Sequence, residues 1–351
     1  LRRHSVFLFL SVLLAACMPL AQNAGPRTIA PKLFEDRIRM ADGVELPLAR
    51  FFPETAPKAV LLALHGFNDY RNAFADPSEI LKTKGVAIYA YDQRGFGAAP
   101  QRGIWPGEET LVQDLRTAAA LVRAAHPKTP LYLLGHSMGG AVVLAAMADA
   151  PLGAAPLAVT PLAVDGVVLA APAVRARKTM FFLKPALLWV AAHTIPWAKF
   201  SGRDLEIRPS DNVAMLKKLG KDPLVLKESR VDAVWGLLNL MDRGFAAAGR
   251  IKTPALFLFG AQDELIPKDA SEAMLATLPR PRPESVRIAI YEKGYHMLLR
   301  DLQAETVLKD VAAWIADREA ALPSGAEAVA ASPAGEKKLR AGPFAATPPL
   351  E

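Results

Sequence analysis

The chain has 351 residues, 52% hydrophobic and 22% charged, with a formal net charge of +7 at pH 7. That length allows one large domain with appendages or two modest ones, and the apolar content supplies ample material for a buried core. Lys and Arg are scattered among comparable numbers of Asp and Glu, with no basic stripe interleaved with aromatics. This argues against a nucleic-acid partner and for a generally solvated surface.

At the N-terminus, Arg2 and Arg3 precede the apolar run Val6-Phe7-Leu8-Phe9-Leu10-Ser11-Val12-Leu13-Leu14, which small residues follow. A basic start, a short apolar stretch and small residues describe a secretory signal peptide, and the run is too short to span a bilayer comfortably. Leu14-Ala15-Ala16-Cys17 resembles the bacterial lipobox, in which cleavage precedes a cysteine that then carries lipid. Residues 1–17 are therefore expected to be a signal peptide ending at a lipidated Cys17, with a soluble exported protein as the alternative. The expected location is the bacterial cell envelope, anchored in a membrane and facing the periplasm or the exterior. Cys17 is the only cysteine, so no disulfide can form within the chain. Residues 18–32 read as a tether.

Two short β-like segments then flank a turn at Asp42-Gly43, and a repeating pattern begins. Ala59 to Leu64 is a continuous apolar run ending in His65-Gly66, as expected for a strand buried on both faces. Val86 to Tyr91 is the next such run, ending at Asp92, and a helical stretch follows from about Glu109 to Ala125. Leu131 to Leu134, Val167 to Ala170, Ala255 to Phe259 and Val286 to Ile290 continue the series. Helices are expected at Met138 to Ala148 and near 269–278 and 304–318. Apolar strands alternating with helices predict an α/β fold, a mostly parallel central sheet flanked by helices. In such sheets the site lies at the carboxyl ends of the strands.

Residues 33–171 and 251–320 form the expected core. Between them, 172–250 shows no core strand and reads as a helical cap, with helices at Met180 to Ala192, Asp211 to Leu219 and Arg230 to Ala248. Residues 321–351 are Ala-, Pro-, Gly-, Ser- and Glu-rich and are expected to be a disordered tail.

Gly135-His136-Ser137-Met138-Gly139 matches Gly-x-Ser-x-Gly, directly after one apolar strand and at the start of an Ala-rich helix. That strand–turn–helix setting makes Ser137 the candidate nucleophile, held in a strained turn that glycines make room for. A serine hydroxyl needs an adjacent base. Of six histidines, His296 alone lies on a loop between the last strand and the last helix and has no other evident role. The base needs an acid to fix its tautomer, and Asp263 emerges from the strand ending at Phe259-Gly260, with Glu264 as its neighbouring rival. Asp92 is read as a loop anchor. Ser, Asp, His is the chain order of one hydrolase class. For the developing oxyanion, the backbone amides of Met138 and Phe67 are the expected donors.

His65-Gly66-Phe67, Tyr91-Asp92-Gln93-Arg94-Gly95-Phe96-Gly97, Gly135-His136-Ser137-Met138-Gly139, Gly260-Ala261-Gln262-Asp263 and Gly294-Tyr295-His296 together resemble the monoacylglycerol lipase / lysophospholipase group of α/β-hydrolases, from about residue 35 to 318. The resemblance implies hydrolysis of single-chain acyl esters without metal or organic cofactor. Asn68-Asp69-Tyr70 lacks the second histidine common in monoacylglycerol lipases, which leaves the head group open. A general carboxylesterase for short-chain esters is the second reading, and a silent lipid-tethered binding protein the third. In the cap, Phe182 and Trp189 are expected either to pack on the core or to line an acyl-chain channel above Ser137, supplied from the adjacent membrane.

Overall fold

The computed structural model describes residues 18–147, 162–202, 207–279 and 284–328. Residues 1–17, where a signal peptide ending at a lipidated Cys17 is expected, lie outside the described residues.

β1 (Lys32–Leu33), β2 (Arg37–Arg39) and β3 (Glu45–Phe51) form an antiparallel meander at one edge of a nine-stranded sheet. β4 (Ala59–Leu64), β5 (Val86–Tyr91), β6 (Leu131–His136), β7 (Gly166–Ala170), β10 (Ala255–Gly260) and β11 (Val286–Tyr291) are parallel. The order across the sheet is β1-β2-β3-β5-β4-β6-β7-β10-β11. Every residue of β4, β5, β6 and β7 is buried, as their unbroken apolar runs require when both faces are covered.

Alternation along each strand divides the core into two layers. Val60, Leu62 and Leu64 of β4 face α2 (Glu108–Ala125) and α3 (Met138–Met147). Leu61 and Ala63 face α1 (Ala75–Thr83) and α8 (Ala304–Ala316), where Trp314 fills the largest buried position.

The segment from 172 to 250 contains α4 (Leu183–Thr194), β8 (Lys199–Phe200), α5 (Val213–Lys221), β9 (Ser229–Arg230) and α6 (Val231–Ala248). β8 and β9 pair with each other, outside the main sheet. α6 does not belong to a cover. It lies on α3 so closely that a Cβ on Gly244 would come 3.2 Å from Ala141, and Leu240, Phe245 and Ala248 sit in the same core layer as α2. Its apolar stripe packs on the sheet's helical layer, together with α7 (Lys268–Leu275), so the covering part of the insertion ends near Arg230.

Both predicted appendages are docked where the structure describes them. In the stretch read as a tether, Gln22 N–H donates to Trp105 C=O at 2.8 Å and Ala24 N–H to Thr110 Oγ1 at 3.1 Å. The tail, read as disordered from 321, packs through residue 328. Leu322 is buried, Ala328 N–H donates to Ile288 C=O at 2.8 Å, and Glu327 pairs with the Arg287 guanidinium. A nearly buried arginine on β11 needs a counter-charge, and the tail supplies it.

Candidate active site

The carboxyl end of β6 runs straight into α3, and Ser137 occupies the single residue between them. Its φ is +51°, a left-handed conformation costly for any side chain other than glycine. The neighbours explain how the turn closes. A Cβ on Gly135 would lie 2.6 Å from the Gly139 carbonyl oxygen, and one on Gly139 would lie 2.2 Å from the Leu64 carbonyl oxygen. Only glycine lets the helix start that close to β4 and β6.

His296 sits in the loop between β11 and α8, its ring buried. Its Nδ1 is 2.8 Å from Asp263 Oδ2 and its Nε2 is 2.9 Å from Ser137 Oγ. A carboxylate can only accept, so Nδ1 carries the proton and Nε2 is left to accept from the serine hydroxyl. Asp263 leaves the end of β10, and its other oxygen accepts the N–H groups of Leu265 and Ile266, both at 2.9 Å. The rival Glu264 accepts instead from Arg208 N–H at 2.8 Å. Three side chains from three strand ends thus form one hydrogen-bonded line. An imidazole so placed can take the hydroxyl proton as the oxygen attacks a carbonyl, and the carboxylate can stabilise the resulting imidazolium.

The expected oxyanion donors flank the serine. Met138 opens α3, so its N–H is among those without a partner in the helix. The loop after β4 lies against the turn, since a Cβ on Gly66 would come 3.3 Å from Ser137 Cβ. Phe67, the next residue, is held by its ring against Phe96, centroids 5.4 Å apart. His65 fixes this loop: its Nδ1–H donates to Gly66 C=O at 2.8 Å, and its Nε2 accepts from Gln93 N–H at 3.0 Å. Asp92 anchors the adjoining loops through the N–H groups of Arg71 and Ala98.

Sequence reasoning missed the support behind these groups. Asp69, next to the oxyanion loop, is buried and pairs with the largely covered guanidinium of Arg300 in the histidine loop. His136 lies behind His296, ring centroids 5.2 Å apart, and donates Nε2–H to the His296 carbonyl at 3.0 Å. Burial, with His296 and Arg300 nearby, pushes the His136 imidazole down to about 3. These partners are far apart in sequence and carry no local pattern, although Arg300 follows His296 by four residues.

Phe182 and Trp189 stand apart from this cluster. Phe182 is 73% exposed and packs on Phe181, while Trp189 is 51% exposed and stacks on His193. Neither packs on the core nor lines an enclosed channel, and of α4 only Ala192 is buried. The helix is apolar on nearly every side, so its sequence does not say which side turns inward.

Comparison with known proteins follows the same lines. The Hydrolase_4 family profile, described as "Serine aminopeptidase, S33", matches residues 55–303. A monoglyceride lipase of Rattus norvegicus is 27% identical over 79% of this chain and 89% of its own. A monoacylglycerol lipase of Mycolicibacterium smegmatis is 28% identical over 78% of this chain and 93% of its own. Among solved structures, a Paleococcus ferrophilus monoacylglycerol lipase superposes with a TM-score of 0.62 at 24% identity, covering 77% of this chain and 98% of its own. A Saccharomyces cerevisiae monoglyceride lipase bound to a substrate analogue gives a TM-score of 0.64 at 18% identity, covering 87% of this chain and 99% of its own. With the family profile matching residues 55–303, well over half of the chain, the protein belongs to the Hydrolase_4 family of serine hydrolases, and its likeness to these structures shows the α/β-hydrolase fold.

Proposed function

We propose that the protein hydrolyses carboxylic esters of single-chain acyl lipids, monoacylglycerols or lysophospholipids, with Ser137 as nucleophile. The observation that carries this reading is the continuous line Ser137–His296–Asp263 at hydrogen-bond distances, beside a helix start. Ser137 Oγ attacks the ester carbonyl while His296 Nε2 takes its proton. The N–H groups of Met138 and Phe67 receive the negative charge that develops on the carbonyl oxygen. His296 then returns the proton to the departing alcohol, leaving an acyl-serine, and a water activated by His296 releases the fatty acid. The choice of ester class draws on the relatives, which are named as monoglyceride and monoacylglycerol lipases.

The second part of the reading is that Cys17 carries lipid and holds the enzyme at a membrane. Leu14-Ala15-Ala16-Cys17 motivates it. Leu20 N–H donates to Asp232 Oδ2 at 3.2 Å, and Asp232 N–H donates to Pro196 C=O at 3.1 Å, beside the exposed Ile195 and Trp197. The first described residues thus dock on the side of exposed apolar side chains, which supports an anchor there. Cys17→Ser should move the protein from the membrane fraction to the soluble one, and unchanged fractionation contradicts the anchor.

The test of the chemistry is a substrate panel of p-nitrophenyl esters, monoacylglycerols, lysophospholipids and an aminoacyl p-nitroanilide, run on wild type and Ser137→Ala. Turnover of the single-chain lipids should exceed that of short esters, and Ser137→Ala should lose on the order of 10³-fold or more. A preference for short esters would instead indicate a general carboxylesterase. Preferred cleavage of the anilide rules out the lipid-ester reading.

A further inference from the structure

His296 lies on a loop, so nothing in regular secondary structure aims its ring. Its backbone is instead held at three consecutive residues. Tyr295 N–H donates to Asp301 Oδ2 at 2.7 Å, His296 C=O accepts from His136 Nε2–H at 3.0 Å, and Met297 N–H donates to Pro209 C=O at 3.0 Å. Asp301 is in turn fixed by Ser210, whose Oγ–H donates to its Oδ1 at 2.5 Å. Ser210 is fully buried and Asp301 only 3% exposed.

Two of the three restraints therefore end on the dipeptide Pro209-Ser210, in the part of the cap between β8 and α5. More bonds tie this segment to the same side of the site. Asn212 Nδ2–H donates to Arg300 C=O at 2.9 Å, and Leu302 N–H donates to Asp211 Oδ1 at 2.9 Å. Arg208 N–H donates to Glu264, the neighbour of Asp263, and the Arg208 guanidinium lies 5.1 Å from the centre of the Tyr295 ring. A buried carboxylate is costly unless its oxygens are satisfied. Asp301 meets that requirement with one donor from the cap and one from the residue before His296.

We propose that Ser210 and Asp301 are positioning residues for His296, through which the cap segment before α5 fixes the imidazole against Ser137. They touch neither the serine nor the imidazole ring. They act by holding the backbone, and a misplacement of about 1 Å at a reacting group costs on the order of 10²-fold. The proposal rests on the Ser137–His296 chemistry above.

The experiment compares Ser210→Ala, Ser210→Thr and Asp301→Ala with wild type on p-nitrophenyl butyrate. Each preparation is titrated with a fluorophosphonate, so that kcat is expressed per competent site. Ser210→Ala should lose about 10-fold in kcat, and Asp301→Ala up to about 10²-fold, with KM within about twofold. The rate constant for fluorophosphonate labelling should fall in parallel. Ser210→Thr keeps the hydroxyl and should return kcat to within about threefold of wild type. A residue that only braces the fold would lower the number of competent sites or the melting temperature and leave kcat per site alone. A folded Ser210→Ala enzyme with wild-type kcat per site overturns the proposal, as do alanine and threonine variants that are equally impaired. Should Asp301→Ala fail to fold, the Ser210 pair decides. Absence of labelling in the wild type overturns the Ser137 reading and the proposal with it.

Discussion

The carboxyl edge of the sheet and the outer helix of the cap are built on opposite terms. Around Ser137, each position is fixed by a specific partner: glycines that admit a neighbouring backbone, carboxylates with two or three donors, histidines with both nitrogens or a carbonyl engaged. In α4 a single residue is buried, and large apolar side chains face outward. The first region holds a strained geometry in place, as acyl transfer requires. The second keeps an apolar surface that the fold itself does not use, which suits contact with acyl lipid. Substitutions should therefore damage the two regions differently: turnover at the sheet edge, lipid contact at the cap.

The largest contrast is expected within one pair of neighbours. Asp263→Asn keeps the shape of the side chain but favours the wrong imidazole tautomer, and kcat should fall by roughly 10⁴-fold. Glu264→Gln, whose side chain can still accept the Arg208 N–H, should stay within about twofold. Steady-state kinetics on folded variants checks both, and the reverse ranking would mean that the acid has been misassigned.

A middle-sized effect follows from His136. Its folded-state value lies near 3, below the ordinary imidazole value, so the unfolded chain takes up a proton that the folded one refuses. Stability is then lost as pH falls below about 6.5 and continues to fall toward pH 3, by up to about 1.4 kcal/mol per pH unit. His65, also pushed down by burial, adds in the same direction. Urea midpoints between pH 7 and 5 should decline more steeply for wild type than for His136→Gln. Parallel lines would show that His136 takes its proton in the folded state.

The smallest effect on the fold is expected at the cap. Phe182→Ser and Trp189→Ser remove exposed side chains and should change unfolding free energy by no more than about 0.5 kcal/mol. Flotation of these variants with phospholipid vesicles should nonetheless weaken. A stability loss of several kcal/mol would mean that these side chains are buried after all.

The sheet and the three hydrogen-bonded positions were legible because each central strand is an unbroken apolar run and each of the three side chains lies just beyond the end of one. Ser137 follows β6, Asp263 follows β10 and His296 follows β11, so local pattern and chain order carried the reading. The supporting bonds were not legible, since Ser210 and Asp301 are 91 residues apart and neither stands in a periodic pattern. The extent of the cap was overread because α6 lies in the same strandless stretch as α4 and α5. Only its packing on Ala141 shows which layer it belongs to. The tail to residue 328 is docked by the buried Leu322, by backbone bonds to β11 and by Glu327 on Arg287, contacts that a sequence of low-complexity appearance does not announce.

Whether Ser137 carries the acyl group can be decided by trapping the intermediate. Turnover of a p-nitrophenyl alkanoate is quenched in acid within the first turnovers, the protein is digested, and the masses of its peptides are read. The acyl mass should appear on the peptide containing Ser137 and be absent from that peptide in Ser137→Ala. An acyl group on another residue, or steady turnover with no acylated peptide at any quench time, would contradict the assignment of Ser137 as nucleophile.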